Sequence, residues 1–242
     1  MLDILAFGAH PDDIEIFMGG AAAAFKTQGK QIGVCDLTRG EAGTYGDAKV
    51  RQRELEAAAA VMGLDVRETL DIRDGFVRNT DENRLKVIHM IRKHRPELVF
   101  TFSRHPMRHP DHEHTGAIVR ECCFLAGLGK IDTGQSPFRP SGCVLFPELL
   151  FNGKPDLVVD ITDHWNTKVA AIRAYGSQVT AEQENDRNAK TFIRSNRFWE
   201  VLEARAVMAG AWIGTKYGEP FFTDQPVRVD DVLAAFLKPG LH

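Results

Sequence analysis

The stretch Leu2-Asp3-Ile4-Leu5-Ala6-Phe7-Gly8-Ala9-His10-Pro11-Asp12-Asp13 reads as a strand that stops at a turn and delivers a run of chemically capable side chains. Its apolar part, Leu2 to Phe7, is too short for a helix and is bounded by a glycine, which fits a strand covered on both faces. The Ala-rich segment after the turn, Ile14 to Thr27, reads as a helix closed by Gly29, and Gln31 to Leu37 as a second strand.

Working outward, the same alternation repeats. A helix is expected from Ala48 to Met62 before Gly63, a short strand near Glu68 to Asp71, a helix from Glu82 to His94 and a strand from Leu98 to Phe102. Two more strands (Cys143 to Leu150, Leu157 to Ile161) and two late helices (Asp163 to Tyr175, Asn188 to Met208) complete the pattern. Repeated strand–helix units imply an α/β fold, a three-layer α/β/α sandwich with a mostly parallel sheet. A chain of 242 residues with 43% apolar content fits one large domain, 1–242. The polar loops Thr133–Ser141 and Ser177–Arg187 are too short to divide it. Ligands of such sheets bind beyond the carboxyl ends of the strands. Ala9–Asp13, the loop Thr38–Asp47 and a second run, His109-Pro110-Asp111-His112, all fall at that edge.

Composition narrows the partner. The 30 basic and 33 acidic residues are mixed along the chain and leave a net charge of −3, with no basic stripe for nucleic acid. There is no charged leader with an apolar core and no run of 18 apolar residues, so a cytoplasmic protein with no membrane partner and a small-molecule ligand is expected. Cys35, Cys122, Cys123 and Cys143 lack CxxC spacing and read as buried thiols. Trp165, Trp199 and Trp212 read as core residues.

Hydrolytic zinc sites use three protein ligands and leave a position open for water. His10 and Asp13, three apart at a helix start, can point at one ion, and His112 from the other strand's loop supplies a third ligand. Asp12 is then left over as a general base beside the metal, which lowers its water's pKa toward ~7. The plain alternative is that Asp12 and Asp13 only cap the helix, but capping needs no histidines. His109, on what reads as an extended, proline-containing loop, is placed as a proton donor, with Asp111 orienting its imidazole. His105 and His114 read as solvated.

Gly8-Ala9-His10-Pro11-Asp12-Asp13 with Glu15 and Gly19-Gly20, together with His109-Pro110-Asp111-His112, resembles the zinc-dependent N-acetylglucosaminyl deacetylases of the LmbE and PIG-L type. The resemblance covers nearly the whole chain and implies a Rossmann-like fold. Softer motifs, Asp36 to Glu41, Arg51 with Glu54, Asp71 to Gly75, Tyr175 to Gln178 and Tyr217-Gly218-Glu219, are most similar to the bacillithiol-pathway branch, which acts on N-acetylglucosaminyl malate. It implies one zinc per chain on His10, Asp13 and His112, Asp12 as base and His109 as acid oriented by Asp111. Substrate contacts from Arg51 and Asp74, an oxyanion contact from Tyr217 and a homo-oligomer are also implied. The chain departs from the branch at Gly43–Gly46, where an arginine is common, at Pro147, and in its longer tail, 230–242.

Other classes fit less well. A nucleotide-binding dehydrogenase would need GxGxxG where this turn places carboxylates. A metal-dependent amidase acting on a thiol conjugate shares the same chemistry. A non-catalytic metal-binding protein would have no use for Asp12 or His109.

Overall fold

The first strand, β1 (Ile4–Gly8), is buried at every residue, and its side chains alternate between two cores. Ile4 and Ala6 pack with the helices of one face; Leu5 and Phe7 pack with those of the other. Both faces of the sheet are therefore covered, which is why the strand is apolar without interruption. The computed structural model describes residues 1–103, 108–150, 153–179, 191–231 and 233. His105, residues 188–190 and nearly all of the tail 230–242 lie outside them.

The chain continues through α1 (Asp13–Thr27), β2 (Ile32–Asp36), α2 (Ala48–Met62), β3 (Val66–Thr69), α3 (Asp81–His94), β4 (Leu98–Phe102), α4 (Pro110–Leu125) and β5 (Gly142–Phe146). Then come β6 (Leu157–Asp160), α5 (Trp165–Arg173), α6 (Gly176–Val179), α7 (Asn196–Ile213) and β7 (Gly218–Thr223). The strands form one seven-stranded sheet in the order β3-β2-β1-β4-β5-β7-β6. The first five are parallel, and β7 runs antiparallel to both β5 and β6. The α/β sandwich and the mostly parallel sheet are as the sequence implies. Strand order reverses between β1 and β4, so the crevice beyond their carboxyl ends is the switch point where such sheets bind ligands.

Four readings are corrected. Residues 109–112 are not an extended loop: Pro110 opens α4, with Asp111 and Glu113 in its first turn, the arrangement that suits an N-terminus. β5 stops at Phe146, because Pro147 cannot donate to a ladder, and the strand does not reach Leu150. The late helix begins at Asn196, where the Ser195 hydroxyl accepts from Phe198 N at 3.2 Å. β7, which the sequence pattern does not announce, begins at Gly218 within the Tyr217-Gly218-Glu219 motif. Trp212 is 40% exposed and is not a core residue.

Candidate metal centre

At the end of β1 the backbone makes an uncommon turn. Gly8 is required there by close approach: a Cβ would lie 3.1 Å from Asp13 Cβ and 3.3 Å from Asp36 Oδ1. Asp12 then adopts φ 110°, ψ −23°, a left-handed conformation that costs a non-glycine residue on the order of 1–3 kcal/mol. Although it stands at the N-cap position of α1, its side chain makes no capping hydrogen bond. The caps of α2 and α3, by contrast, accept conventionally, Asp47 from Val50 N and Thr80 from Asn83 N. The helix-cap alternative for Asp12 is therefore excluded by geometry.

Asp13 Oδ2 accepts from the amides of Ala9 and His10, both at 2.8 Å, which aims Oδ1 across to α4. There it lies 3.2 Å from His112 Nε2, and Asp13 Oδ2 lies 3.6 Å from His10 Nδ1. One donor atom from each of His10, Asp13 and His112 falls within 4.8 Å of the others. Glu148, just past β5, faces His112 Nδ1 at 3.4 Å. His10 Nε2 points the other way, 3.1 Å from Asp74 Oδ1 and 3.5 Å from Asp111 Oδ2, with no aligned hydrogen bond. The two imidazoles thus each have one nitrogen near Asp13 and the other near a carboxylate, the arrangement that orients histidine metal ligands.

The electrostatics follow from this crowding. Burial opposes charge on both histidines, but the surrounding carboxylates outweigh it: Asp111, Asp13 and Asp74 hold His10 well above its ordinary value, and Asp13 with Glu148 raises His112 to about 9. Burial likewise works against the Asp13 carboxylate, and the charges and hydrogen bonds of His112 and His10 overcome it, holding Asp13 far below the usual range. Asp12 goes the opposite way, to about 7, through burial and the charge of Asp13. Adjacent carboxylates with separated pKa values suit different roles, one an anionic ligand and one a base.

His109 differs from expectation. Its Nδ1 accepts from the Asp111 amide at 3.2 Å, so its proton resides on Nε2. The Asp111 carboxylate is taken up instead by Gly75 N at 2.7 Å and Val77 N at 3.3 Å, beside His10. Burial, then the charges of His10 and His112, lowers the pKa of His109. The carboxylate of Asp111 therefore does not orient His109; its backbone does, and the ring is held neutral.

These groups share a cavity of about 860 Å³ whose lining includes His10, Asp12, Asp13, Asp74, His109 and His112. Arg51 also lines it, from α2. Its guanidinium is buried against Gly40 and the Pro11 carbonyl, and its Nε and Nη1 lack a hydrogen-bond partner. Asp74 is fixed from three directions: Oδ2 accepts from Ala42 N, its amide donates to Glu41, and Oδ1 faces His10. Tyr217 is not brought to the cavity. Its ring stacks on Trp165, 4.6 Å between centroids, and its hydroxyl donates to Glu203 at 2.8 Å, so the expected oxyanion contact is corrected. A strand continued through Pro147 gives Glu148 no role; an acid directly behind a strand-ending proline at this edge is the sequence signal for it.

The family model described as GlcNAc-PI de-N-acetylase matches residues 5–123. A diacetylchitobiose deacetylase of Thermococcus kodakarensis is 30% identical over 72% of this chain and 69% of its own. A 4-oxalmesaconate hydratase of Pseudomonas putida is 27% identical over 72% and 73%. A probable N-acetyl-α-D-glucosaminyl L-malate deacetylase of Bacillus cereus is 26% identical over 77% and 88%. Among solved structures, the conserved protein TT1542 of Thermus thermophilus superposes with a TM-score of 0.86 at 33% identity, covering 96% of this chain and 99% of that one.

Proposed function

The chain belongs to the PIG-L family of de-N-acetylases, and from that membership we propose that it hydrolyses the N-acetyl group of an N-acetylglucosaminyl conjugate with one zinc ion per chain. Acetate and the free amino sugar are the products. The observation that carries this reading is the convergence of His10, Asp13 and His112 beside an uncapped Asp12 in one cavity. Two imidazoles and a carboxylate are a donor set that hydrolytic zinc uses with a position left open, so the residues fit the ion.

When bound, zinc would polarise the acetamide carbonyl and acidify the attacking water. Asp12, with a pKa near the working pH, takes that water's proton. The amide nitrogen leaves only once protonated, and Asp12 then holds a proton to give it. His109, neutral and with Nδ1 engaged, offers its Nε2–H to the carbonyl oxygen as negative charge develops there. This reading replaces the acid role expected for His109, because burial and the neighbouring histidine charges disfavour the imidazolium that would deliver a proton to the amine.

The open edge of the Arg51 guanidinium supports an anionic group on the conjugate, and N-acetylglucosaminyl malate of the bacillithiol pathway is the substrate we favour. A cytoplasmic homo-oligomer acting as one domain over 1–242 belongs to the same reading; no helix among the described residues is long and apolar enough to cross a membrane. The test is acetate release, followed by mass spectrometry, from the malate, inositol and diacetylchitobiose substrates by the zinc-loaded protein. Fastest turnover of the malate conjugate is expected. Release from none, with hydration of 4-oxalmesaconate instead, would overturn the reading.

A further inference from the structure

Helix α1 is broken. Met18, in its middle, has φ −143° and ψ 16°, outside helical space. In an unbroken helix the Gly20 amide would donate to the Ile16 carbonyl, four residues back. Here Gly20 N donates to Glu219 Oε1 at 3.1 Å, and the Ile16 carbonyl accepts from Lys168 Nζ at 2.6 Å. Lys168 Nζ and Glu219 Oε1 are themselves 2.5 Å apart. A second amide, Ala21 N, donates to Glu219 Oε2 at 2.7 Å. The ladder has thus been interrupted at the break and an ion pair from α5 and β7 set into it, with the anion on two amide donors, Gly20 and Ala21, and the cation on one carbonyl acceptor, Ile16. That orientation complements the partial charges at the two helix ends created by the break.

Both side chains are almost fully buried, Lys168 at 3% and Glu219 at 4% exposure. A buried ion pair is poor evidence for stability, because desolvation offsets most of the attraction. Its value lies in what it holds. The segment before the break, Asp13 to Phe17, is too short to be a stable helix alone, and it carries the Asp13 ligand together with Ile16 and Phe17 of the cavity wall. Phe17 packs edge-on to the His112 ring, 5.9 Å between centroids, and stacks on Phe146 at 5.5 Å. Small residues mark the close approach on this side of α1: a Cβ on Gly20 would meet Ile161 at 2.8 Å, and Gly19 lies against Lys168.

We propose that Lys168 and Glu219 are positioning residues of the metal centre: by splicing the break in α1 they set the direction of its first turn and hence the aim of Asp13 at His10 and His112. This rests on the metal-centre reading above. It also gives Gly19-Gly20 and Tyr217-Gly218-Glu219 a shared task, as the two sides of one splice.

The experiment measures zinc affinity by competition with a chromophoric chelator, together with Tm and kcat, in Glu219→Gln and in the apolar pair Lys168→Met/Glu219→Leu. Ile91→Ala, in the core between α3 and the sheet, serves as a control that destabilises without touching α1. Expected is a zinc Kd raised about tenfold or more in both α1-splice variants, the scale of losses behind a ligand, with kcat reduced and the control's Kd unchanged. The apolar pair decides the matter if Glu219→Gln does not fold. A folded splice variant whose Tm falls like the control's while its zinc Kd stays within about twofold of wild type would overturn the proposal. Wild-type protein that takes up no zinc would instead overturn the metal-centre reading itself.

Discussion

The turns after β1 and β4 carry nearly the same four residues, His10-Pro11-Asp12-Asp13 and His109-Pro110-Asp111-His112, yet corresponding positions do different work. In each, the fourth residue stands in the first turn of a helix and brings a donor atom to the candidate metal cluster, Asp13 from α1 and His112 from α4. The first and third residues part ways. His10 reaches the ligand cluster, whereas His109 caps α4 through its Nδ1. Asp12 sits in a left-handed conformation with its carboxylate uncapped in the cavity, and Asp111 is helical with its carboxylate bound to Gly75 and Val77. Residue type set which groups were available; backbone conformation assigned their roles.

That asymmetry can be broken by exchange. Replacing Asp13 or His112 with Ala should abolish zinc binding and turnover, the largest effect expected, since each removes one of the three donor atoms that converge there. Elemental analysis of the purified variants checks it. Asp12→Asn should keep the metal and lower kcat by about 10²–10⁴, the usual loss for a general base. The matched change, Asp111→Asn, should leave far more of kcat, and steady-state kinetics at saturating zinc separates the two.

Acidity tests the ligand half of the comparison. His10 and His112 are raised above their ordinary values, so in metal-free protein both are protonated at neutral pH and zinc must displace those protons. Zinc affinity should therefore climb as pH rises from 6 toward the His112 value of about 9, by up to about a hundredfold per pH unit if both protons leave. His109, lowered instead, should contribute no such dependence: His109→Gln should leave the affinity-versus-pH curve in place. Titration of zinc binding at several pH values reads both.

Asp111→Asn sharpens the comparison further. With its carboxylate beside His10, the substitution should weaken zinc binding by about 10–100-fold, the scale typical of groups behind a ligand. A loss confined to the pH–rate profile, with zinc affinity intact, would return Asp111 to the service of His109. The smallest effect belongs to Tyr217→Phe. Removal of its hydrogen bond to Glu203 should cost about 0.5–1.5 kcal/mol in denaturant unfolding and leave kcat/KM unchanged.

Much of this was legible in one dimension. The apolar runs at β1 and β4 are covered on both faces, so periodicity and length identify them and place the two histidine motifs at one edge. The three candidate ligands follow from residue chemistry and from that shared edge. The rest depended on conformations that composition does not encode. Nothing local announces that Asp12 will adopt φ 110°, that the Asp111 carboxylate will turn toward Gly75, or that Pro147 will end β5 and leave Glu148 facing His112. Pro110 with Asp111 and Glu113 does carry a helix-start signature, which competes with the extended conformation that proline also favours.

By itself the sequence determined the strand–helix alternation, the parallel sheet and the identity of the groups that could bind a metal, because those depend on burial patterns and side-chain chemistry close together along the chain. Only the tertiary structure decided which carboxylate faces which imidazole, that Tyr217 is spent on Trp165 and Glu203, and that Lys168 and Glu219, 152 and 198 residues or more from the backbone atoms they meet, close a broken helix. Such contacts join segments with no common period. They are chosen by the need to satisfy buried donors, acceptors and charges in three dimensions, and that condition exists only once the chain has folded.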